Sequence, residues 1–283
     1  MRLTGEARKA GVMGWPIGHS RSPALHGWWL EQHRIDGAYV PMAVRPEHLA
    51  TALRALPVLG FAGCNLTIPH KRAALSLVDR LDPTADRIGA VNTVVVAADG
   101  SLEGRNTDGF GFIESLRAGR ANWTARHGPA VVVGAGGAAR AILVALLDDG
   151  VPEIRLINRT FASAEMLASE FGARVKAVSW IERHHALGDA ALLVNTTSLG
   201  MRGEAALDLA LDRLPSHALV NDIVYAPLET PLLATARARG NPVVDGLGML
   251  LHQARPGFAA WFGVWPDVTP ELREAVFETF GGP

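Results

Sequence analysis

One short stretch constrains the fold of this chain more than any other. The apolar run Ala130–Val133 leads into the glycine-rich segment Gly134–Ala139, and a helical pattern then continues to Leu147. A buried parallel strand is typically a continuous apolar run, and a strand that turns at glycines into a helix is the start of a βαβ unit. The stretch therefore predicts an α/β domain built on a mostly parallel sheet.

The glycines also predict what this domain binds. Gly134 permits a tight turn, Gly136 lets the backbone approach a pyrophosphate, and the small Ala139 allows close packing of helix on strand. The amides at the start of the helix favour an anion. The pattern is typical of Rossmann-type dinucleotide binding, and a glycine turn without a ligand is the alternative. The expected cofactor residues here are Gly134, Ala135, Gly136, Gly137 and Ala138.

The end of the next strand indicates which dinucleotide binds. About twenty residues after the glycines, NAD-binding domains usually present an Asp or Glu to the ribose 2′-hydroxyl. Here the chain has Asn158, Arg159 and Thr160, with no carboxylate. Because a guanidinium can fork onto a phosphate, these residues favour NADP, whose ribose carries a 2′-phosphate. A solvated surface arginine is the alternative interpretation of Arg159.

The rest of the chain predicts a second α/β domain. Expected strands at 11–14, 38–44 and 61–66 alternate with expected helices at 23–35, 47–56 and 70–78, and 91–102 suggests a hairpin. We therefore expect two α/β domains. The predicted segments are 1–108 for the first domain, 109–245 for the nucleotide-binding domain, and 246–283 for C-terminal helices. These helices are expected to complete the first domain by folding back onto it, or to bridge both domains.

Polar residues interrupt the core pattern of the first domain. Ser20 and Ser22 stand two residues apart before Pro23, where both hydroxyls can face an anion such as a carboxylate. Helix capping by Ser22 is an equally weighted alternative. Lys71 is one of only three lysines in a chain that otherwise uses arginine, and lysine can exchange a proton where arginine effectively cannot. Lys71 is therefore a candidate acid/base.

Several motifs in order give a resemblance to a known family. They are Ser20-Arg-Ser-Pro, Asn65-Leu-Thr-Ile-Pro-His-Lys, Gly89-Ala-Val-Asn-Thr, Asn106-Thr-Asp, Gly134-Ala-Gly-Gly-Ala, Asn158-Arg-Thr, Asn195-Thr-Thr-Ser and Asp245-Gly-Leu-Gly-Met-Leu-Leu-His-Gln. Together they resemble the shikimate dehydrogenases, from about Gly11 to Asp267. The resemblance implies two α/β domains flanking a cleft, with C-terminal helices that return to the first domain. The resemblance implies an enzyme of aromatic amino-acid biosynthesis that reduces 3-dehydroshikimate to shikimate with NADPH.

The same resemblance implies roles for individual residues. Lys71 and Asp108 become the catalytic pair, with a charged Lys71 supplying a proton to the ketone oxygen. Substrate contacts are implied for Ser20, Ser22, Thr67, Asn92, Tyr225 and Gln253. Ile223 and Gly246 are implied to lie near the nicotinamide.

The chain also departs from the family pattern. Where a second arginine is common after Asn-Arg-Thr, it has Phe161, and Gly27 and Leu66 replace a usual Asn and Val. Because that arginine is missing, the alternative that the chain is a quinate/shikimate dehydrogenase that prefers NAD stays open. A non-catalytic nucleotide-sensing protein on the same fold is the alternative from another class.

Composition limits the partners. The chain has 283 residues, 27 basic and 28 acidic, so no net field favours nucleic acid or an anionic membrane, and a small-molecule substrate is expected. A single cysteine, Cys64, and the absence of an apolar signal segment favour the cytoplasm, and no metal site or membrane span is expected. The sequence leaves open whether the protein forms a homodimer.

Overall fold

The computed structural model describes residues 3–280. Its chain divides into two compact units: the first contains residues up to Thr107 together with those from Gln253 onward, and the second is Asp108–His252. Each unit contains one six-stranded sheet. None of the helices within 3–280 is long and apolar enough to cross a membrane.

The first unit is a mixed sheet with helices. Its elements are β1 (Arg8–Gly14), α1 (Ser22–Gln32), β2 (Gly37–Ala43), α2 (Leu49–Val58), β3 (Phe61–Leu66), β4 (Arg80–Leu81), α3 (Pro83–Ile88), β5 (Thr93–Val96) and β6 (Leu102–Arg105). The strand order is β2-β1-β3-β5-β6-β4. β1 pairs in parallel with β2 and β3, whereas β5 and β6 form the predicted antiparallel hairpin.

The second unit begins with α4 (Asp108–Gly119) and is a doubly wound parallel sheet. Its further elements are β7 (Ala130–Val133), α5 (Gly137–Asp148), β8 (Ile154–Ile157), α6 (Phe161–Phe171), β9 (Val175–Val178), β10 (Leu192–Asn195), β11 (Leu219–Asp222), α7 (Pro231–Ala238) and β12 (Val243–Val244). The order β12-β11-β10-β7-β8-β9 is that of a Rossmann sheet, with β7 as its first strand. The predicted α/β class with a Rossmann-type second unit is confirmed.

Two C-terminal helices complete the chain, α8 (Gly246–Phe262) and α9 (Pro270–Glu278). The sequence predicts that helices in 246–283 complete the first domain, whereas residues 246–252 cluster with the second unit. The reason is close packing: a Cβ on Gly248 would lie 2.3 Å from the Ser115 hydroxyl of α4. From Gln253 onward the helix belongs to the first unit, where Trp261 Nε1 donates to the Val94 carbonyl at 3.0 Å.

One predicted helix is wrong. Residues 70–78 contain only a 3₁₀ segment, Ala73–Ser76. The Lys71 carbonyl accepts a hydrogen bond from Val91 N–H at 2.8 Å, so it binds a distant segment rather than the next helical turn. The loop before the 3₁₀ segment is therefore held by long-range backbone contacts.

Candidate functional site

The loop that carries Lys71 forms hydrogen bonds to three other segments of the first unit. Thr67 N–H donates to the Met13 carbonyl at 3.0 Å, at the end of β1. The buried His70 places Nε2 2.8 Å from the Val44 carbonyl, beyond β2. With the Val91 contact to Lys71, these bonds fix the loop to three neighbouring segments, and the Lys71 side chain is half-buried.

The predicted carboxylate site lies at the start of α1. Ser22 is buried, Ser20 is half-buried, and Ser22 N–H lies 3.4 Å from Ser20 Oγ. Arg21 occupies the N-cap position, and among the described residues no side chain accepts a capping hydrogen bond there. The capping alternative for Ser22 is therefore not seen. The Ser22 side chain instead interacts with the phenol of Tyr39 and lowers the pKa of that phenol.

A buried polar cluster brings together two of the predicted substrate residues. Asn92 Nδ2 lies 3.1 Å from Thr107 Oγ1 and 3.5 Å from Gln253 Oε1, and Thr107 Oγ1 lies 3.4 Å from the same Gln253 oxygen. Thr107 N–H donates to Asn92 Oδ1 at 2.9 Å. Asn92 and Gln253 are 161 residues apart in sequence. Asn92 directly precedes β5, Thr107 follows β6, and Gln253 lies on α8.

Two of the predicted catalytic and substrate residues, Asp108 and Tyr225, lie in the second unit. Asp108 is its first residue, buried and directly joined to Thr107. Tyr225 is half-buried in the loop after β11. The structure thus divides the proposed substrate and catalytic residues: Ser20, Ser22, Thr67, Lys71, Asn92 and Gln253 belong to the first unit, and Asp108 and Tyr225 to the second.

The glycine turn of the second unit fits a dinucleotide. Gly134 has φ of +111°, and a Cβ there would lie 2.4 Å from Thr196 Oγ1, so only glycine fits. At Gly136 and Gly137, by contrast, a Cβ would meet none of the described atoms within 4 Å. α5 starts at Gly137 without a side-chain cap and without an acidic residue in its first turn. The start of α5 is therefore not blocked by a side-chain cap or an acidic side chain, which suits binding of a pyrophosphate.

The remaining predicted cofactor residues lie on the same unit. Asn158 Nδ2 donates to the Thr160 carbonyl at 2.8 Å, which shapes the turn after β8 and leaves Arg159 exposed. Ile223 and Gly246 are brought together, because a Cβ on Gly246 would lie 2.2 Å from the Ile223 carbonyl oxygen. An exposed guanidinium at the end of the second Rossmann strand suits a 2′-phosphate.

Sequence reasoning missed a buried carboxylate in this unit. Asp222 ends β11, and its carboxylate accepts hydrogen bonds from Asn195 Nδ2 and Val224 N–H, both at 3.0 Å, and from Thr230 Oγ1 at 2.7 Å. Burial raises the pKa of Asp222, and the three donors oppose that shift. Asp222 therefore ties the loop after β10 to the loop that carries Ile223. A buried strand ending in Asn-Asp was the available signal.

Tyr39 was also missed, and it lies close to the predicted substrate residues. Its hydroxyl donates to Asn65 Oδ1 at 2.6 Å. Burial raises the pKa of Tyr39 well above its ordinary value of 10.0, whereas the hydrogen bond from Ser22 lowers it. No local motif marks Tyr39, because its partners come from other segments. The only signal was its rarity, since the chain contains two tyrosines.

Comparisons with known proteins agree for both units. Residues 12–94 match the family described as the shikimate dehydrogenase substrate binding domain, and residues 120–201 match the family described as shikimate / quinate 5-dehydrogenase. The shikimate dehydrogenase (NADP(+)) of Paramagnetospirillum magneticum is 63% identical over 274 residues, covering 97% of this chain and 99% of that protein.

Two solved structures are similar over almost the whole chain. The Thermus thermophilus shikimate 5-dehydrogenase in complex with NADP(H) and shikimate has a TM-score of 0.85 and 40% identity, covering 95% of this chain and 98% of the other. The Corynebacterium glutamicum quinate dehydrogenase in complex with NAD has a TM-score of 0.88 and 33% identity, covering 95% and 98%.

Proposed function

Because this chain belongs to the shikimate dehydrogenase family, as its motifs predict, we propose that it interconverts 3-dehydroshikimate and shikimate with NADP as the redox cofactor. One observation carries the proposal. A half-buried lysine on a hydrogen-bonded loop shares the first unit with two small hydroxyls and the Asn92–Gln253 carboxamide pair, in a chain 63% identical to a shikimate dehydrogenase (NADP(+)). This set suits a small polyhydroxylated acid.

Each polar group of the first unit then has a chemical task. Ser20 and Ser22 bind the substrate carboxylate, and two hydroxyls at the start of α1 can do so without a bulky side chain. Thr67, Asn92 and Gln253 bind the ring hydroxyls. Tyr225, from the second unit, is the sixth proposed substrate residue. Pairing every ring hydroxyl matters, because an unpaired buried hydroxyl costs about 1–3 kcal/mol.

Lys71 acts as the general acid of the reduction. NADPH, when bound, supplies the hydride that reduces the ketone carbon. Lys71 Nζ donates a proton to the ketone oxygen as negative charge develops there, and takes it back in the oxidative direction. Such a positioned acid contributes about 10²–10⁴-fold in rate. Asp108 is the proposed carboxylate partner in catalysis, as the family pattern implies.

The second unit supplies the nucleotide site. Gly134, Ala135, Gly136, Gly137 and Ala138 form the pyrophosphate turn, and the open positions at Gly136 and Gly137 support that role. Asn158, Arg159 and Thr160 bind the ribose 2′-phosphate. Ile223 and Gly246, packed on each other, border the nicotinamide.

Two alternatives differ from this proposal in testable ways. A quinate/shikimate dehydrogenase that prefers NAD is favoured by the single arginine at the 2′-phosphate position and by the likeness to a quinate dehydrogenase in complex with NAD. The exposed Arg159, the absence of an acidic residue at 158–160 and the higher identity to NADP(+) enzymes favour NADP. A nucleotide sensor without catalysis would have no use for Lys71.

Replacing Lys71 tests the function. Lys71→Met keeps the length of the side chain and removes the proton donor, so kcat for shikimate oxidation should fall by at least about 10²-fold while KM changes much less. An unchanged Kd for NADP+ serves as the control for folding of the second unit. If the variant keeps its kcat, Lys71 is not the acid. If the wild-type chain binds NADP+ but turns over no shikimate, the sensor alternative stands.

Location and assembly complete the proposal. The enzyme acts in the cytoplasm, where the single buried Cys64 stays reduced. A homodimer is a further prediction, and sedimentation velocity at micromolar concentration would test it.

A further inference from the structure

Tyr39 is a buried residue of β2 that the proposed reaction does not yet use. Its hydroxyl donates to Asn65 Oδ1 at 2.6 Å, and its ring stacks on the ring of His26 with centroids 4.0 Å apart and an interplanar angle of 7°. The stack fixes the plane of the phenol, and the hydrogen bond fixes its hydroxyl. Tyr39 therefore holds the side chain of Asn65 in one position.

Asn65 connects Tyr39 to Asn92, and the orientation of its side-chain amide is defined by its hydrogen bonds. Its Nδ2 donates to the Asn92 carbonyl and to Thr93 Oγ1, both at 3.1 Å. A backbone carbonyl only accepts, so the amide nitrogen of Asn65 must face Asn92 and its oxygen must face Tyr39. Only a donor satisfies that oxygen, and Tyr39 provides it.

Thr93 extends this series of hydrogen bonds to the side chain of Asn92. Having accepted from Asn65, the Thr93 hydroxyl donates to Asn92 Oδ1 at 2.9 Å, and Thr107 N–H donates to the same oxygen at 2.9 Å. Asn92 Oδ1 is thus occupied by two donors. Asn92 Nδ2 faces Thr107 Oγ1 at 3.1 Å and Gln253 Oε1 at 3.5 Å, so the group that Asn92 presents beside Gln253 is a hydrogen-bond donor.

We propose that Tyr39 is a positioning residue of the substrate site: through Asn65 and Thr93 it holds Asn92 so that the amide N–H donates to a ring hydroxyl of shikimate. The inference rests on the proposed function, because Asn92 is a substrate residue only there. Loss of the Tyr39 hydroxyl leaves Asn65 Oδ1 buried without a donor. The Asn65 side chain then rotates towards another donor, and its hydrogen bonds to the Asn92 carbonyl and to Thr93 are lost.

Tyr39→Phe is the direct test, since it keeps the ring and its stack on His26. We expect KM for shikimate to rise about tenfold, which corresponds to one disturbed buried hydrogen bond, while kcat falls less than about threefold. Kd for NADP+ should not change, because the cofactor residues lie on the other unit. A purely structural role would lower the melting temperature and leave KM alone.

A double-mutant cycle identifies the route of the effect. If Tyr39 acts through Asn92, Tyr39→Phe should add less than about twofold to KM in an Asn92→Ala background. The matched control is Ser20→Ala, whose effect on KM should multiply with that of Tyr39→Phe. Multiplication in the Asn92→Ala background would overturn the inference.

Two further outcomes separate the inference from the proposed function. If Asn92→Ala alone leaves KM unchanged, the substrate assignment of Asn92 fails and the inference falls with it. If Asn92→Ala raises KM but Tyr39→Phe does not, only the inference is wrong. Should Tyr39→Phe fail to fold, Thr93→Val interrupts the same chain, with Thr93→Ser as its conservative control. An unchanged KM in Thr93→Val would likewise overturn the inference.

Discussion

His26 should make the stability of this protein depend on pH, and His26→Phe should remove that dependence. The imidazole is completely buried among Tyr39, Trp29 and Phe258. Within residues 3–280 neither of its ring nitrogens meets a hydrogen-bond partner. Burial without a counter-charge lowers the pKa of His26 from 6.5 to about 3.

The sign and size of the effect follow from proton linkage. The unfolded chain takes up a proton on His26 near pH 6.5, whereas the folded chain takes it up only near pH 3. Between these values the unfolded state binds more protons, so stability falls as pH falls through 6.5. At about pH 4.5, two pH units below the unfolded pKa, the loss due to His26 is about 3 kcal/mol at 1.36 kcal/mol per unit.

Urea unfolding at about pH 7.5 and pH 4.5 measures this loss. We expect His26→Phe to lose about 3 kcal/mol less than the wild type between the two conditions, because phenylalanine fills the site without titrating. The exposed His217 provides a control for removal of a histidine, and His217→Gln should behave like the wild type. Equal pH dependence in His26→Phe and the wild type would refute the reasoning.

Three further predictions concern the proposed sites. Arg159→Ala should raise KM for NADP+ at least about tenfold more than KM for NAD+, since a charge-assisted hydrogen bond is worth about 1.5–3 kcal/mol; equal changes would exclude Arg159 from phosphate binding. Ser22→Ala should raise KM for shikimate but leave Kd for NADP+ unchanged, as measured by steady-state kinetics and fluorescence titration. Thr230→Val should cost about 1–3 kcal/mol in urea unfolding, because a donor to the buried Asp222 is lost, whereas Thr230→Ser should be nearly neutral.

Local patterns predicted the nucleotide-binding unit well. The apolar run became β7, and the glycines became the turn into α5, because a continuous apolar strand and a positive φ at Gly134 are both properties of a few neighbouring residues. The β5–β6 hairpin is likewise encoded locally, by an Asp-Gly turn. Such elements need no knowledge of distant segments.

Elements held by distant partners could not be predicted in this way. The expected helix at 70–78 is replaced by a loop, because Val91 binds the Lys71 carbonyl. The chain from Tyr39 through Asn65 to Asn92 joins three strands or strand ends, each pair about 26–27 residues apart. α8 passes from one unit to the other at Gln253, a division that depends on packing against Ser115 rather than on helix periodicity.

Initial rates with shikimate and quinate, each with NADP+ and with NAD+, test the central claim most directly. Quinate has an additional hydroxyl beside its carboxylate, next to the group that Ser20 and Ser22 are proposed to bind, and an unpaired buried hydroxyl costs about 1–3 kcal/mol. We predict that shikimate with NADP+ gives the highest kcat/KM, and that shikimate exceeds quinate by at least about tenfold. Equal or faster turnover of quinate with NAD+ would contradict the account.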